Sequence, residues 1–226
     1  MSTAPVPRRR SRKRMEFSER RESILDSALY LIAHLDAFSL TMAQVAEQEG
    51  VSKPVLYDHF ANIDELLTEL FRRERTQAVV EMLDIVGARI ESDDPYERVT
   101  FAVSRASEFI TLVKDRPERW RLTFEPPLGV TPETRALTES GKREVHEAMI
   151  ELIAWAVPNP DELDLGLTTH AVQAVIERMA HLISTSPEAY EADQLVAFAA
   201  QHIEWWLIGR MAASPTPAVG VVDGGL

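Results

Sequence analysis

The chain has no cysteine among its 226 residues, which excludes a disulfide framework and thiol chemistry. No apolar run approaches the roughly 18 residues of a membrane span. The basic N-terminus is not followed by the apolar stretch of about 7–15 residues that a signal peptide needs. We therefore expect a cytoplasmic protein that has no membrane partner.

Recognisable catalytic motifs are missing as well. The sequence has no phosphate-binding glycine loop, no nucleophile elbow and no cysteine–histidine pair. Glu177 and His181 are four residues apart, as two metal ligands on one helix face could be, but no second such pair accompanies them. A structural hydrogen-bonded pair explains them better. We expect no enzymatic activity, no cofactor and no metal site.

Negative charge is in excess, but it is unevenly distributed. The net charge is −12. Residues 1–75 contain 12 Lys and Arg and 12 Asp and Glu, so their formal charge is zero, while residues 76–226 contain 12 and 24 and carry the whole excess. A dense basic run lies near the N-terminus, at Arg8, Arg9, Arg10, Arg12, Lys13 and Arg14. Because nucleic acid responds to local charge near its phosphates, the acidic total does not exclude a DNA-binding protein.

Residues 40–60, LTMAQVAEQEGVSKPVLYDHF, have the pattern of two short helices joined by a tight turn. Thr41 and Gln44 have the spacing of a capping box. Gly50 readily supplies a left-handed turn, and Ser52 can cap the next helix. The unit is a helix-turn-helix, whose second helix would read the major groove of double-stranded DNA.

Residues 18–70 resemble the DNA-binding domain of the tetracycline-repressor (TetR) family of bacterial transcription regulators. The resemblance rests on an amphipathic helix followed in order by T-x-x-x-V-A-x-x-x-G-V-S, L-Y-x-H-F and N-x-x-E-L-L. It implies an all-α homodimer, in most members a repressor. The expected organisation is a disordered basic arm at 1–15, a three-helix helix-turn-helix domain at 16–62, a helical effector-binding and dimerisation domain at 63–211 and a disordered tail at 212–226.

The second motif helix contains the side chains expected to contact DNA. Lys53 can donate to guanine O6 or N7 or to a phosphate, and Pro54 and Val55 can pack on a thymine methyl. Tyr57 and His59 have polar tips suited to phosphates, although Tyr57 could be a core aromatic and His59 a helix-end residue.

The resemblance places the matching residues at DNA, and adds Thr41, Met42 and Ala43 at the start of the first motif helix. Two positions depart from the family pattern. Ile63 stands where members usually have Lys, and Asp58 puts an acid in the recognition helix. The basic arm either enters a minor groove or binds phosphates nonspecifically.

Between residues 90 and 190, a capping residue precedes proline four times, which predicts helix starts. The predicted helices are 95–115, 117–125, 132–157, 161–185 and 187–211, and no segment alternates as a strand would. Candidate residues for a pocket that holds a small apolar or amphipathic effector are Phe109, Trp120, Phe124, His146, Met149 and Glu177. The last two helices have apolar residues on more than one face, which predicts a dimer interface containing Val172, Ile176, Met179, Ile183, Phe198, Trp205 and Trp206.

Two functions fit these features. The first is a homodimeric regulator that binds a pseudo-palindromic operator and is released from it by a small molecule. The second is an all-helical enzyme or lipophile-binding protein in which the N-terminal motif is only a packing unit. A packing helix has no need of Lys53, Tyr57 and His59 together, which favours the regulator.

The basic arm gives the first testable prediction. Deleting residues 1–14 should weaken DNA binding and flatten its dependence on salt, because each phosphate neutralised adds about 0.9 to the slope of log affinity against log salt. Fluorescence anisotropy across a salt series measures this slope. Equal slopes for the full-length and truncated proteins would show that the arm stays in solvent.

Overall fold

The structure is a computed structural model that describes residues 16–34, 40–124, 132–186 and 188–212. The basic arm and nearly all of the predicted tail lie outside these ranges. The described parts contain helices and no strand, which confirms the all-α class. The helices are α1 (Phe17–His34), α2 (Met42–Glu49), α3 (Lys53–His59), α4 (Ile63–Gly87), α5 (Pro95–Asp115), α6 (Pro117–Phe124), α7 (Pro132–Ala156), α8 (Leu165–Thr185) and α9 (Ala192–Ala212).

The chain divides into two compact units, residues 1–66 and 67–226, and the division falls inside α4. The first unit contains the helix-turn-helix, and the second contains most of α4 and the remaining helices. Each unit has its own set of buried apolar side chains.

Local capping chemistry shapes the helix-turn-helix as the sequence predicts. The Thr41 hydroxyl accepts from the Gln44 N–H, and the Gln44 side chain accepts from the Thr41 N–H at 2.9 Å, so the capping box is complete. Gly50 ends α2 with φ of +72°, a conformation that residues with a Cβ rarely adopt. Ser52 occupies the N-cap position of α3, but its hydroxyl makes no capping hydrogen bond.

A buried carboxylate joins α1 to the end of α2. Glu49 accepts hydrogen bonds from Arg20 at 2.7 Å, from Ser23 at 2.8 and 3.0 Å and from Ser27 at 2.8 Å. The donors lie three and four residues apart, on one face of α1. Burial favours the neutral acid, but the hydrogen bonds from Ser27, Ser23 and Arg20 outweigh it and lower the pKa of Glu49.

Two helix starts in the second unit differ from the prediction. Asn159–Pro160 begins only a 3-10 turn, Pro160–Glu162, and α8 starts later, where Asp164 accepts from the Leu167 N–H at 2.9 Å. Ser186 is the C-cap of α8, and α9 starts at Ala192. A residue before proline is disfavoured in the helical region, so the same dipeptide can also end a helix. The predicted starts of α5, α6 and α7 are confirmed.

An ion-pair network holds α6 against α4 within the second unit. The Arg119 guanidinium donates to Glu74 at 2.7 Å, to both Glu81 oxygens at 2.7 and 2.9 Å and to Gln77 at 3.1 Å. Burial alone would lower the pKa of Arg119, but the hydrogen bonds that it donates to Glu74 and Glu81 raise it. Arg119 and Glu74 are almost fully buried. Each has a second ionic partner, since Glu81 also pairs with Arg119 and Arg73 with Glu74, so removing either would leave the other only partly compensated.

The Glu49 site gives a stability prediction. Glu49→Gln should destabilise the first unit by about 1–3 kcal/mol, because it removes the charge from a buried acceptor that has several donors. Glu47→Gln, an exposed carboxyl two residues away, is the matched control and should change little. Denaturant unfolding of the full chain measures both. Equal stability of the two variants would contradict the role given to Glu49.

Candidate functional site

Helix α3 presents a continuous exposed face in the first unit. Lys53, Pro54, Val55, Tyr57 and Asp58 are all exposed, and the Tyr57 side chain retains 52% of its accessible surface. An aromatic and a valine on this short helix are thus left with a large part of their surface uncovered by the described residues. The face combines a cation, a phenol and apolar groups, which suits contacts with phosphates and base edges in a major groove.

The opposite face of α3 is fixed by the interior of the first unit. Leu56 and Phe60 are fully buried. The Arg21 guanidinium lies 4.0 Å from the centre of the Phe60 ring and donates to the His59 carbonyl oxygen. These contacts leave the helix little freedom to rotate, so its exposed residues are held in one orientation.

Two predicted DNA contacts are corrected, because Met42 and His59 point inward. Met42 is 9% exposed and belongs to the apolar interior. His59 is also 9% exposed, and its ring stacks on Phe17 at 4.1 Å between centroids. Burial, and then the charge of Arg21, lower the pKa of His59. His59 therefore supports α3 by packing against Phe17.

Thr41 and Ala43 remain exposed at the start of α2. Asn62 accepts from the Glu65 N–H at 2.9 Å and caps α4, while the Glu65 carboxylate accepts from the Ala61 N–H at 2.8 Å. Ile63, the position where a lysine was expected from the resemblance, is half-buried. The candidate DNA surface is thus Thr41, Ala43, Lys53, Pro54, Val55 and Tyr57, with the six basic arm residues outside the described ranges.

Two cavities lie among the described helices of the second unit. The first, of about 50 Å³, has an almost wholly apolar wall supplied by α4, α5, α7, α8 and α9. The second, of about 210 Å³, is lined by both apolar and polar side chains. Met82 and Phe109 contribute to both walls. Cavities of this kind between helices are where small molecules most often bind in helical proteins.

The candidate effector residues divide between these cavities. Phe109 lines both cavities, Met149 lines the apolar one, and Trp120, Phe124 and Glu177 line the polar one. His146 lines neither, but its Nδ1 lies 3.0 Å from the Gln173 Oε1, and Gln173 belongs to the polar wall. Five of the six thus surround a cavity.

The candidate interface residues are not all at the surface. Val172, Ile176 and Ile183 are buried in the chain's own core, because α8 packs against α5, α6, α7 and α9. This corrects their assignment to a partner-facing surface. Phe198, Trp205 and Trp206 of α9 are 50%, 68% and 36% exposed, and Met179 is half-buried.

Comparison with known proteins identifies the helix-turn-helix unit. Residues 24–70 match the family model described as bacterial regulatory proteins, tetR family. The HTH-type transcriptional activator FasR of Mycolicibacterium smegmatis is 26% identical over 171 residues, which are 76% of this chain and 72% of that protein. The first unit contains a DNA-binding domain of the TetR family of transcriptional regulators.

Solved structures of TetR-family regulators share the fold. A TetR-like regulator from Rhodococcus has a TM-score of 0.64 at 20% identity, covering 88% of this chain and all of that one. FadR of Bacillus subtilis, solved in complex with stearoyl-CoA, has a TM-score of 0.58 at 18% identity, covering 83% and 98%. At these identities the likeness establishes the fold of this regulator.

The structural roles of three charged residues were not predicted from the sequence: Glu49, Arg75 and Arg119. The polar stripe Arg20, Ser23 and Ser27 on α1 was a signal for a buried acceptor. Arg119 gave no local signal, since its hydrogen-bond partners lie on α4. Arg75 gave none either, since the carboxylates that act on it, Glu177 and Glu139, lie on other helices. None of the helices in the described ranges is long and apolar enough to cross a membrane.

Lys53 gives a prediction about base readout by this regulator. Lys53→Ala should reduce discrimination at one or two base pairs of the operator, at a cost of about 1–3 kcal/mol for each base that the lysine reads. Anisotropy titrations with the operator and with random DNA measure this. Equal weakening on both DNAs would show that Lys53 contacts a phosphate.

Proposed function

We propose that the protein binds a pseudo-palindromic operator as a homodimer and is released from it when a small apolar or amphipathic molecule binds the second unit. The exposed face of α3 carries this proposal. Its cation, phenol and apolar groups are exposed, while its buried face holds it in one orientation. A DNA-reading helix needs both properties.

Dimerisation rests on the two faces of α9. Leu195, Ala199, Ile203 and Leu207 are buried in the core of the second unit. Phe198 and Trp205 lie on another face of the same helix and are exposed. Large aromatic side chains in such a row mark an interaction surface, and a second copy would also supply the second recognition helix that a two-fold operator requires.

Release by a ligand rests on the position of the cavities. Helix α4 supplies Met82 to both cavity walls, Ile85 and Val86 to the apolar one and Arg75 to the polar one. The same helix begins in the unit that contains the helix-turn-helix. A ligand that binds one orientation of α4 more tightly than another shifts the population towards that orientation. Only such a difference in affinity can shift the population.

The comparison with known proteins suggests the type of ligand. Repression and activation are distinguished by experiment. FadR of Bacillus subtilis was crystallised with stearoyl-CoA, which supports an acyl ligand for the cavities here. The Mycolicibacterium smegmatis relative is named an activator. We propose repression relieved by the ligand, and a reporter under the operator distinguishes it from activation.

A lipophile-binding protein without DNA binding is the competing function, and the apolar cavity favours it. Selection from a random duplex library, followed by anisotropy with the enriched sequence, separates the two. A regulator enriches an inverted repeat and binds it at least about a thousand-fold more tightly than random DNA. A library that yields no repeat would contradict the proposal.

The α9 surface gives a prediction about assembly. Trp205→Lys together with Trp206→Lys should yield a monomer, because two charges per chain would be forced into a buried apolar interface. Val80→Lys together with Leu137→Lys changes two other exposed apolar residues of the second unit and is the matched control. Sedimentation velocity measures the state of each. A dimer that survives the tryptophan changes would place the interface elsewhere.

A further inference from the structure

Two buried N–H donors on the wall of the polar cavity have no acceptor within the described part of the chain. They are Nε of Arg75, from α4, and Nε1 of Trp120, from α6. Trp120 is only 1% exposed, so its indole N–H has no access to bulk water. Buried donors are nearly always hydrogen-bonded in folded proteins, and a pair of exceptions in one cavity calls for an explanation.

The charges around this cavity favour an anion. Its wall includes two cations, Arg75 and Lys142, and one carboxylate, Glu177, so the formal charge is +1. Burial lowers the pKa of Arg75, while the charges of Glu177 and Glu139 oppose the shift. Lys142 is partly engaged, since its Nζ lies 3.3 Å from Glu139. The Arg75 guanidinium is thus a partly buried cation on which the effect of burial exceeds that of its two neighbouring carboxylates.

The neighbouring apolar cavity has a different character. Its one charged wall residue is Arg105, and that guanidinium is already engaged, 2.6 Å from Glu108 and 4.3 Å from the centre of the Phe101 ring. Met82 and Phe109 form the partition between the two cavities. Methionine is the most adaptable apolar side chain, so Met82 can move aside for the alkyl chain of a ligand that extends from one cavity into the other.

We infer that the two cavities together bind one amphipathic carboxylate, whose head accepts hydrogen bonds from Arg75 and Trp120 and whose unbranched apolar tail passes Met82 into the apolar cavity. The inference rests on the proposed function for the location of the effector and adds the chemical class of the ligand. A carboxylate offers two acceptor oxygens to the two donors and is attracted by the Arg75 guanidinium. A volume of about 50 Å³ suits a thin chain better than a ring system.

Calorimetric titration of the full-length protein without DNA tests the head-group site, with decanoate and decanol as probes. The two probes share a tail and differ in the charged head. Because a hydrogen bond to a charged group is worth roughly a tenfold or greater change in affinity, decanoate should bind at least about tenfold more tightly. Decanol binding as tightly as decanoate would overturn the inference, as would a failure of decanoate to bind.

Three variants assign the preference to its residues. Arg75→Gln should abolish the preference for decanoate, and Trp120→Phe should reduce it several-fold by removing one donor. Arg72→Gln removes an exposed arginine of the same helix and is the matched control, which should keep the preference. A full preference in Arg75→Gln would show that the head group binds elsewhere.

A fourth variant tests the charge balance without removing a buried side chain. Glu177 is exposed at the cavity mouth, so Glu177→Gln should fold even if Arg75→Gln does not. Removing this carboxylate should strengthen decanoate binding and leave decanol binding unchanged, because only the anion is repelled by it. An unchanged affinity for decanoate would contradict an anionic head at this cavity.

Operator anisotropy separates this inference from the proposed function. If decanol and decanoate release the operator equally, and Arg75→Gln does not change the release, the proposed regulatory function is supported and the proposed carboxylate site is wrong. If decanoate binding depends on Arg75 but the operator does not respond, the site stands and regulation through it is wrong.

Discussion

A helix of seven residues cannot hold its own shape in water, and this constraint governs the DNA-binding unit. Nucleating a helix costs more than so short a segment regains, so α3 forms only when its neighbours fix it. One side of α3 is fixed by the buried residues Leu56, His59 and Phe60, and the Arg21 guanidinium covers the Phe60 ring. These contacts lie on one side of α3, which leaves the other side exposed.

The same constraint explains why the polar groups of α1 matter to α3. The Glu49 carboxylate joins the end of α2 to α1 immediately before the Gly50 turn, and α3 follows two residues after that turn. The position of α3 therefore depends on a buried hydrogen-bonded charge as well as on apolar packing. Such a network is stabilising only when it is fully satisfied, and this carboxylate has three donor residues.

Features that depend on neighbouring residues could be predicted from the sequence. The capping box at Thr41, the left-handed Gly50 and the Asn62 cap each follow from chemistry within about four residues. The interior orientation of His59 could not be predicted, because it depends on Phe17, forty-two positions earlier, which packs on the ring. The network of Arg119 is non-local in the same way, since all three of its α4 partners lie about forty residues away.

The periodicity of apolar residues also failed to predict which side chains are buried, where the faces of one helix have different surroundings. Val172, Ile176 and Phe198 read alike as apolar residues of the last two helices, yet the first two are interior and Phe198 is exposed. The distinction depends on which helices surround α8, and a single sequence does not contain that information. The cavities have the same dependence, since their walls draw on α4 through α9.

The central claim is that the exposed face of α3 lies in the major groove of each operator half-site. Methylation interference tests it directly, because dimethyl sulfate modifies guanine N7 in the major groove and adenine N3 in the minor groove. With a selected operator, guanine methylation in both half-sites should block binding, and adenine methylation should interfere only at flanks that the basic arm reaches. Interference confined to adenine, with guanine methylation tolerated throughout, would contradict the account.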